Sequence, residues 1–535
     1  MFRVLKNEIL FKLNGWTFVS FIIGLFIIIP IAFVAIQFNN SSENWHHIQE
    51  NVLYKYIYST LILVLGTGVL SVFFGVITAW IISFYEFPGR KLLEWGLILP
   101  LTIPTYIAAY SYYDVLETFT PLMLWIRNNI SFSAMNLFND FMVYFVTIIV
   151  LSSVLFPYVY LSTRASFLMQ GNKLIESAKI LGHLPGQIFW NLILPLSRPA
   201  IVAGLSLVIM ETLNDFGAVE YFGISTFTTG IFRSWMGMDD VGSALRLSSY
   251  LMFFVLLLMY FEKRMRGNAK FDQNDDSSLT HKRLVLSSSK SKSVLVICLV
   301  PLMLGFIIPV IRLSLWSISA SKDFFNIELM QIRFNSIGLA SFSSIIIVIV
   351  SIILLFSSKY FSSQIIKITN QFAVLGYSIP GAVIAMGILL VSAYINDITN
   401  IIITGTISSL FIAYLIRFLA VSSQPIDSGL EKECSQINQA SRNLGKTAFH
   451  SLMKINLPLL KKPIFVGAIL IFIDVFKELP LTLILRPFNF DTLATLTYDL
   501  NKQAQIFDAS IPALIIIIIT TIPIIFLNKK LERKS

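Results

Sequence analysis

The chain alternates long apolar runs with short polar segments. An α-helix needs about 20 apolar residues to cross the hydrocarbon core of a membrane. Runs of that kind recur along the whole chain and predict an all-α polytopic membrane protein with twelve transmembrane helices. They centre on residues 17–38, 57–85, 93–113, 141–163, 199–219, 243–261, 293–316, 335–358, 371–394, 399–423, 463–485 and 507–527.

Composition supports this prediction. Of the 535 residues, 56% are hydrophobic and only 13% are charged, and there are 45 phenylalanines. A water-soluble protein of this length could not hide so much apolar surface. The first apolar run is longer than a secretory signal and has no small-residue cleavage pattern after it, so we expect a retained helix.

The net charge of +10 does not indicate nucleic-acid binding, because of where the basic residues lie. With the N-terminus in the cytoplasm, the cytoplasmic segments together with Arg417 hold 30 of the 40 Lys and Arg residues. This distribution follows the positive-inside rule and places both termini in the cytoplasm. The segments are 1–16, 86–92, 164–198, 262–292, 359–370, 424–462 and 528–535.

Cysteine and histidine are too sparse to indicate a metal centre. Cys298 and Cys434 have no local partner, and the five histidines are scattered. No disulfide, zinc framework or bound cofactor is expected from these spacings, and the sequence leaves metal ligands unknown.

A polar, serine-rich segment divides the chain into two halves. Residues 262–292 are predicted to form a cytoplasmic linker between a first half, 1–261, and a second half, 293–535. Each half has six predicted spans. An even number of spans gives both halves the same orientation, so they form a parallel repeat.

A cytoplasmic loop of each half carries the same sequence template. "ESAKILGHLPGQIFWNLILP" begins at Glu176, in the loop 164–198, and "QASRNLGKTAFHSLMKINLP" begins at Gln439, in the loop 424–462. The copies are 263 residues apart. The same offset continues into the next span, where it aligns Gly204 with Gly467, Glu211 with Asp474, and Asp215 with Glu478.

Residues 440–447, "ASRNLGKT", match a loose phosphate-binding pattern, but the repeat argues against ATP binding. The first copy reads "SAKILGHL" and lacks the lysine and threonine. A phosphate-binding loop also follows a buried strand, whereas the preceding residues are polar and compatible with a helix. We therefore expect no ATP site in this chain and no enzymatic activity.

The template predicts a helix-turn-helix in each loop. Small residues let a short helix lie close to another surface, a glycine breaks or caps that helix, and a proline ends the segment. Two such hairpins suit a symmetric soluble partner, although they could also be amphipathic loops left over from a duplication. The candidate docking residues are Glu176, Ser177, Ala178, Gly182, Pro195, Gln439, Ala440, Ser441, Gly445 and Pro458.

The template resembles the EAA motif of ABC importer permeases, with Gln439 in place of the usual glutamate. Two longer stretches, "METLNDFGAVEYFGISTFTTGIFRSW" (210–235) and "FIDVFKELPLTLILRPFNFDTLATLTYDL" (472–500), resemble fused two-half permeases of ferric-iron ABC importers. The resemblance implies a permease in the bacterial inner membrane that moves ferric iron. It also implies two copies of a soluble ATPase, which uses the ATP, and an extracytoplasmic iron-binding protein as partners.

Other substrates and another class of transporter remain open. The same machinery could carry thiamine, a phosphonate or a polyamine. An ion-coupled secondary transporter is the alternative of a different class, and it would have no need of paired docking loops.

Carboxylates within the predicted spans are the remaining candidates. Glu211 and Asp215 are four residues apart, as are Asp474 and Glu478, so each pair is expected on one helix face. Such groups inside a membrane are functional candidates. With Glu220 they either line the path of a hard cation, which prefers oxygen ligands, or form structural ion pairs. The basic residues considered as partners are Lys477, Arg233, Arg246 and Arg486.

Each half also has a proline in its third span, Pro104 and Pro380. Each proline is expected to kink its helix, either to open backbone carbonyls toward a pathway or for packing alone.

Overall fold

The computed structural model of the protein describes residues 14–39, 42–169, 177–178, 180–266, 283–320, 327–361, 369–370, 375–431 and 435–532. Within these ranges the chain is almost entirely helical. The two strands found there are two residues long each, Tyr85–Glu86 and Leu284–Val285, and they pair in parallel.

Nine helical stretches in the described residues are long and apolar enough to cross a membrane, and the number rises to eleven if each of two bent helix pairs counts as one span. The all-α membrane fold is therefore confirmed, while the count of twelve spans stays a prediction. The long helices are Gly15–Ile36, Leu53–Phe84, Phe132–Met169, Val241–Arg266, Ser288–Leu302 continuing to Ile308–Ser319, Ile327–Phe361, Gly381–Thr399, Ile407–Gly429 and Ile506–Glu532.

Shorter helices connect and flank these spans. They are Trp45–Asn51, Arg90–Gly96, Thr105–Ser111, Thr120–Asn129, Pro185–Ile188, Leu194–Leu196, Arg198–Asn214, Gly217–Tyr221, Phe227–Phe232, Ser435–Asn443, Ala448–Ser451, Leu457–Leu459, Lys461–Phe476, Pro480–Leu485 and Leu493–Lys502.

The predicted third span of the first half is broken, and the predicted fifth span, 199–219, begins directly after a bend and consists of two helices, Arg198–Asn214 and Gly217–Tyr221. The helical stretch Arg90–Thr102 meets Thr105–Ser111 at 94°, and Gly186–Leu196 meets Arg198–Asn214 at 66°. Pro104 lies at the first break because its ring prevents a continuous hydrogen-bond ladder. The predicted eleventh span, 463–485, likewise consists of two helices, Lys461–Phe476 and Pro480–Leu485.

The chain forms two compact units that do not coincide with its two sequence halves. The first unit contains residues 1–44, 231–252 and 322–496, and the second contains 45–230, 253–321 and 497–535. Each unit thus takes most of its residues from one half and further segments from the other half.

In the first unit, the first predicted span packs on the second half of the sequence. The helix Gly15–Ile36 lies against Gly381–Thr399. Gly387 allows the close approach, because a Cβ at this position would lie only 2.6 Å from the carbonyl oxygen of Pro30. A helix contact this close requires a residue without a side chain.

In the second unit, the first span of the second half packs on the first half of the sequence. Gly305, in the turn that joins Ser288–Leu302 to Ile308–Ser319, lies against the carbonyl of Ser153. Trp316 stacks on buried Tyr110 with 5.9 Å between the ring centroids. The two units therefore repeat the same exchange of a first span.

The end of the predicted linker is part of the second unit. Its strand Leu284–Val285 pairs with Tyr85–Glu86, and the Arg283 guanidinium lies 3.9 Å from the Glu86 carboxylate. Arg90 bridges Glu86 at 3.1 Å and Glu94 at 2.7 Å. Residues 267–282 of the linker lie outside the described residues.

Candidate functional site

The first copy of the repeated loop has the glycine-capped turn that the sequence predicts. Gly182 has a φ of +82°, in the left-handed region. The His183 N–H donates to the Ala178 carbonyl at 3.1 Å, and the Leu181 N–H donates to the Ser177 carbonyl at 3.1 Å. The bond from His183 to Ala178 closes the C-terminus of a helix, and this kind of turn requires the left-handed backbone that glycine adopts easily. Glu176 lies outside the described residues.

The second copy has the same turn 263 residues later. Gly445 has a φ of +70°, and the Lys446 N–H donates to the Ser441 carbonyl at 3.1 Å. Gln439 and Ala440 are exposed on the helix Ser435–Asn443, while Ser441 is buried.

The phosphate-binding interpretation of "ASRNLGKT" has no structural support within this described segment. A helix precedes the turn, where a phosphate-binding loop would need a strand. The Gly445 N–H donates to Arg442 O at 2.9 Å and the Lys446 N–H donates to Ser441 O, so neither amide faces outward to hold a phosphate.

The two copies agree beyond the turn. Each continues through a short helix into a widened helical turn, Phe189–Ile193 in one and Leu452–Asn456 in the other. Pro195 and Pro458 each occupy the second position of a three-residue helix after this turn, where a proline needs no N–H donor. The chain then enters the next predicted span.

Large apolar side chains point outward at matched positions of both loops. Leu181 is 78% exposed and Leu444 is 77% exposed, directly before each glycine. Trp190 and Met453 are also exposed and are again 263 residues apart. Exposed apolar side chains beside a rigid turn are typical of a docking surface.

The inner faces of the loops differ in chemistry. In the second loop, the buried Asn438 and Asn456 side chains exchange hydrogen bonds at 3.2 and 2.9 Å, and Ser441 bonds Ser451 at 2.7 Å. In the first loop, the position matching Asn456 is the fully buried Ile193. One loop is therefore held by amide and hydroxyl pairs where the other packs an apolar side chain.

The carboxylates within the predicted spans do not share helix faces. The helix Arg198–Asn214 ends one residue before Asp215, whose backbone is extended, with φ −63° and ψ 129°. Glu478 likewise follows the end of Lys461–Phe476. The expectation that Glu211 and Asp215 lie on one face, and Asp474 and Glu478 on another, is wrong because each helix ends between its two carboxylates.

The Asp215 carboxylate is held by hydrogen bonds from other residues of the chain. Its carboxylate accepts hydrogen bonds from the Thr105 hydroxyl and from the N–H groups of Ala218 and Val219, both at 3.1 Å. The side chain is almost fully buried. These bonds cap the first turn of Gly217–Tyr221 and tie it to the break in the third span.

Glu478 is bound in the corresponding place. It lies 3.5 Å from the Arg417 guanidinium and accepts the Leu481 N–H at 3.2 Å. In the sequence Arg417 counts only toward the positive-inside pattern, although a lone arginine in an apolar run also indicates a buried partner.

Glu211, Glu220 and Asp474 have a different environment. All three are half-buried, Glu211 and Asp474 on the last turns of their helices and Glu220 on Gly217–Tyr221. Asp474 pairs with Lys477 at 3.0 Å. Across the described residues, no three or more His, Cys, Asp and Glu side chains come together as a metal site.

Comparison with known proteins finds a match between part of the sequence and a family of transport proteins. Residues 71–267 match the model of the "binding-protein-dependent transport system inner membrane component" family. The chain contains a permease domain of this family. The matched segment includes the first of the two repeated loops, Asp215 and Glu220.

One relative extends the match across both halves, and others match a smaller part of the chain. The permease is 26% identical over 479 residues to the Fe(3+)-transport system permease protein FbpB 2 of Haemophilus influenzae, covering 88% of this chain and 89% of that protein. It is also 26% identical over 228 residues to the sulfate transport system permease protein CysT of Escherichia coli, covering 41% of this chain and 78% of that protein. The probable sulfate permease of Marchantia polymorpha is 24% identical over 204 residues, which are 37% of this chain and 67% of that protein.

Proposed function

We propose that this chain is the translocating subunit of an ATP-driven importer and that its cargo is ferric iron. The observation that carries the proposal is the pair of matched loops, each with a glycine-capped turn and exposed apolar side chains. Two copies of one soluble ATPase would dock on these two loops on the cytoplasmic side. The chain itself would hold no cofactor, and ATP would be consumed by that partner.

Similarity along most of the chain supports ferric iron as the cargo. The ferric-iron relative matches both halves in one alignment, whereas the sulfate relatives each match less than half of the chain. Sulfate is therefore the second candidate. A binding protein outside the membrane would deliver the cargo, as the family description indicates.

The path through the bilayer would use the half-buried carboxylates. Glu211, Glu220 and Asp474 are our candidates for contact with a hard cation, which favours oxygen ligands. Asp215 and Glu478 are buried as well as bound to neighbouring groups, and they are assigned to structure. Weak, transient contacts suit a path, because tight binding would slow release.

ATP would drive transport by changing the ATPase and not by chemistry in this chain. Closure of the ATPase dimer would draw the two loops together and favour the outward-open state. The driving free energy is the difference between loop contacts in the two ATPase states. The chain would lie in the bacterial inner membrane with both termini cytoplasmic.

A glycine series tests the docking step. Gly445 has a left-handed backbone, and a Cβ there would meet no atom within 4 Å. Gly445→Asn should keep ATPase binding, because asparagine tolerates this conformation, while Gly445→Val should lose it, because a β-branched residue does not. Co-purification with the ATPase is the measurement, and membrane abundance is the control. Equal binding by both variants would exclude the loop as the docking site.

A further inference from the structure

Each half contains a polar junction between its third span and the break within its fifth span. The first junction consists of Thr105 and Asp215, and the second consists of Gly381, Arg417 and Glu478. We call them the first node and the second node. Both lie within single compact units, the first node in the second unit and the second node in the first.

The backbones of the two nodes are equivalent. Pro104 has φ −57° and ψ 143° before the helix that starts at Thr105, and Pro380 has φ −55° and ψ 141° before the helix that starts at Gly381. Thr105 and Gly381 therefore occupy the same position relative to these prolines, although they lie 276 residues apart and not 263.

The carboxylates are equivalent as well. Asp215 accepts the Ala218 N–H at 3.1 Å, and Glu478 accepts the Leu481 N–H at 3.2 Å. Both pairs obey the 263-residue offset. Each carboxylate caps the short helix that follows, Gly217–Tyr221 in the first half and Pro480–Leu485 in the second half. We call these two short helices the elbows.

The same offset makes the buried Val154 the counterpart of Arg417 in the first half. Packing of the same helices supports this alignment, because a Cβ on Gly204 would lie 2.7 Å from the Val159 Cα and one on Gly467 would lie 3.2 Å from the Ser422 Cα. The set of Thr, Val and Asp in the first half thus becomes Gly, Arg and Glu in the second half.

The three differences depend on one another. A Cβ at Gly381 would lie 3.0 Å from a Glu478 carboxylate oxygen and 3.1 Å from an Arg417 guanidinium nitrogen, so a threonine at this position would push against the ionic pair and require it to shift. The extra methylene of Glu478 extends its carboxylate toward Arg417. In the first half the shorter Asp215 is reached by the Thr105 hydroxyl instead.

We propose that the two nodes are alternative solutions to one task, which is to hold each elbow to the third-span helix of its half. Thr105, Asp215, Gly381, Arg417 and Glu478 are positioning residues that do not contact the cargo. Positions 381, 417 and 478 form one co-dependent set. Transport requires both elbows to follow their third-span helices between the two access states.

The test converts the second node into a copy of the first. Gly381→Thr alone should lower the maximal uptake rate by about tenfold per molecule of inserted protein, a factor that corresponds to about 1.4 kcal/mol. The binding-protein concentration at half-maximal rate should not change, because the cargo contacts are elsewhere. Arg417→Val alone should also lower the melting temperature and the membrane abundance, because it leaves the Glu478 carboxylate without its guanidinium.

The triple variant Gly381→Thr, Arg417→Val, Glu478→Asp should recover uptake to within about twofold of the natural protein, because it rebuilds the hydrogen-bonded node. A triple variant no better than its worst single variant would overturn the proposal, as would single variants that all transport normally. Gly338→Thr is the matched control, since no atom lies within 4 Å of a Cβ at that position.

The uptake measurement rests on the proposed function, but the melting temperatures of the purified variants do not. If the natural protein moves no iron, the proposed function fails. The co-dependence of the three positions is then decided by whether the triple variant melts above Gly381→Thr and Arg417→Val, and a lower or equal melting temperature would overturn it.

Discussion

At the residue scale, Asp240 shows how a single carboxylate fixes the start of a helix. It directly precedes Val241–Arg266, and it accepts the Ser243 N–H at 2.9 Å. Partial burial acts to raise the pKa of this carboxyl, but hydrogen bonds from Ser243, Ser42 and Asn44 outweigh burial and lower the pKa. The charged carboxylate is therefore the capping form.

The stability effect of this cap should depend on pH in a defined direction. Asp240→Ala should cost about 1 kcal/mol at neutral pH, the usual value of a lost N-cap. Because the folded pKa is lowered, the stabilisation is present above the unfolded value of about 4 and is lost as pH falls through the folded value.

Thermal melting of the natural protein and of Asp240→Ala, measured from pH 7 downward, checks this. The difference in melting temperature should stay constant to about pH 4 and narrow only below it. A difference that already disappears near pH 6 would show that the carboxylate does not cap the helix in its charged form.

Substitutions of Asp215 and Glu211 should have different effects, because we assign Asp215 to structure and Glu211 to the transport path. Asp215→Ala removes the acceptor for Thr105, Ala218 and Val219 and should cost about 1–3 kcal/mol per buried donor left unsatisfied, so membrane abundance should fall. Glu211→Gln keeps size and polarity, so abundance should stay normal while iron uptake falls. Normal uptake at normal abundance in Glu211→Gln would remove Glu211 from the path.

At the element scale, close helix packing depends on glycines whose surroundings can be compared. Gly387 meets the Pro30 carbonyl, whereas Gly338, on the helix Ile327–Phe361, has no atom near a potential Cβ. Gly387→Ala should destabilise the protein by about 1–3 kcal/mol through overpacking. Gly338→Ala should be neutral or stabilising by up to about 1 kcal/mol, because alanine favours a helix.

The melting temperatures of these two glycine variants in detergent give the comparison. Equal effects would mean that the helix Gly15–Ile36 does not pack against Gly381–Thr399 as described.

Several elements follow directly from local sequence, and others do not. The glycine turns of both loops could be predicted, because the left-handed conformation is a local property that glycine satisfies. The end of Arg198–Asn214 could not, because nothing in "METLNDFG" breaks helical periodicity. Hydrogen bonds from a distant threonine and from the following turn decide that end. Thr105 was missed for the same reason, since its role depends on a partner 110 residues away.

At the scale of the whole molecule, the repeat explains the matched loops and nodes but not the compact units. Hydropathy marks where helices begin and end, but it does not show which half of the sequence each first span packs against. The close contacts at Gly387 and Gly305 show that each first span packs against the other half. The sequence halves 1–261 and 293–535 therefore describe the repeat. The packing is described by the two compact units, of which the first contains residues 1–44, 231–252 and 322–496.

The most direct test of the account is uptake into vesicles that contain this chain, a candidate ATPase and an extracytoplasmic binding protein encoded beside it. We expect radiolabelled Fe³⁺ uptake that requires ATP, the ATPase and the loaded binding protein. Sulfate should not compete, and this chain alone should hydrolyse no ATP. ATP-dependent uptake of sulfate instead of iron would contradict the cargo, and uptake without the ATPase, driven by an ion gradient, would contradict the mechanism.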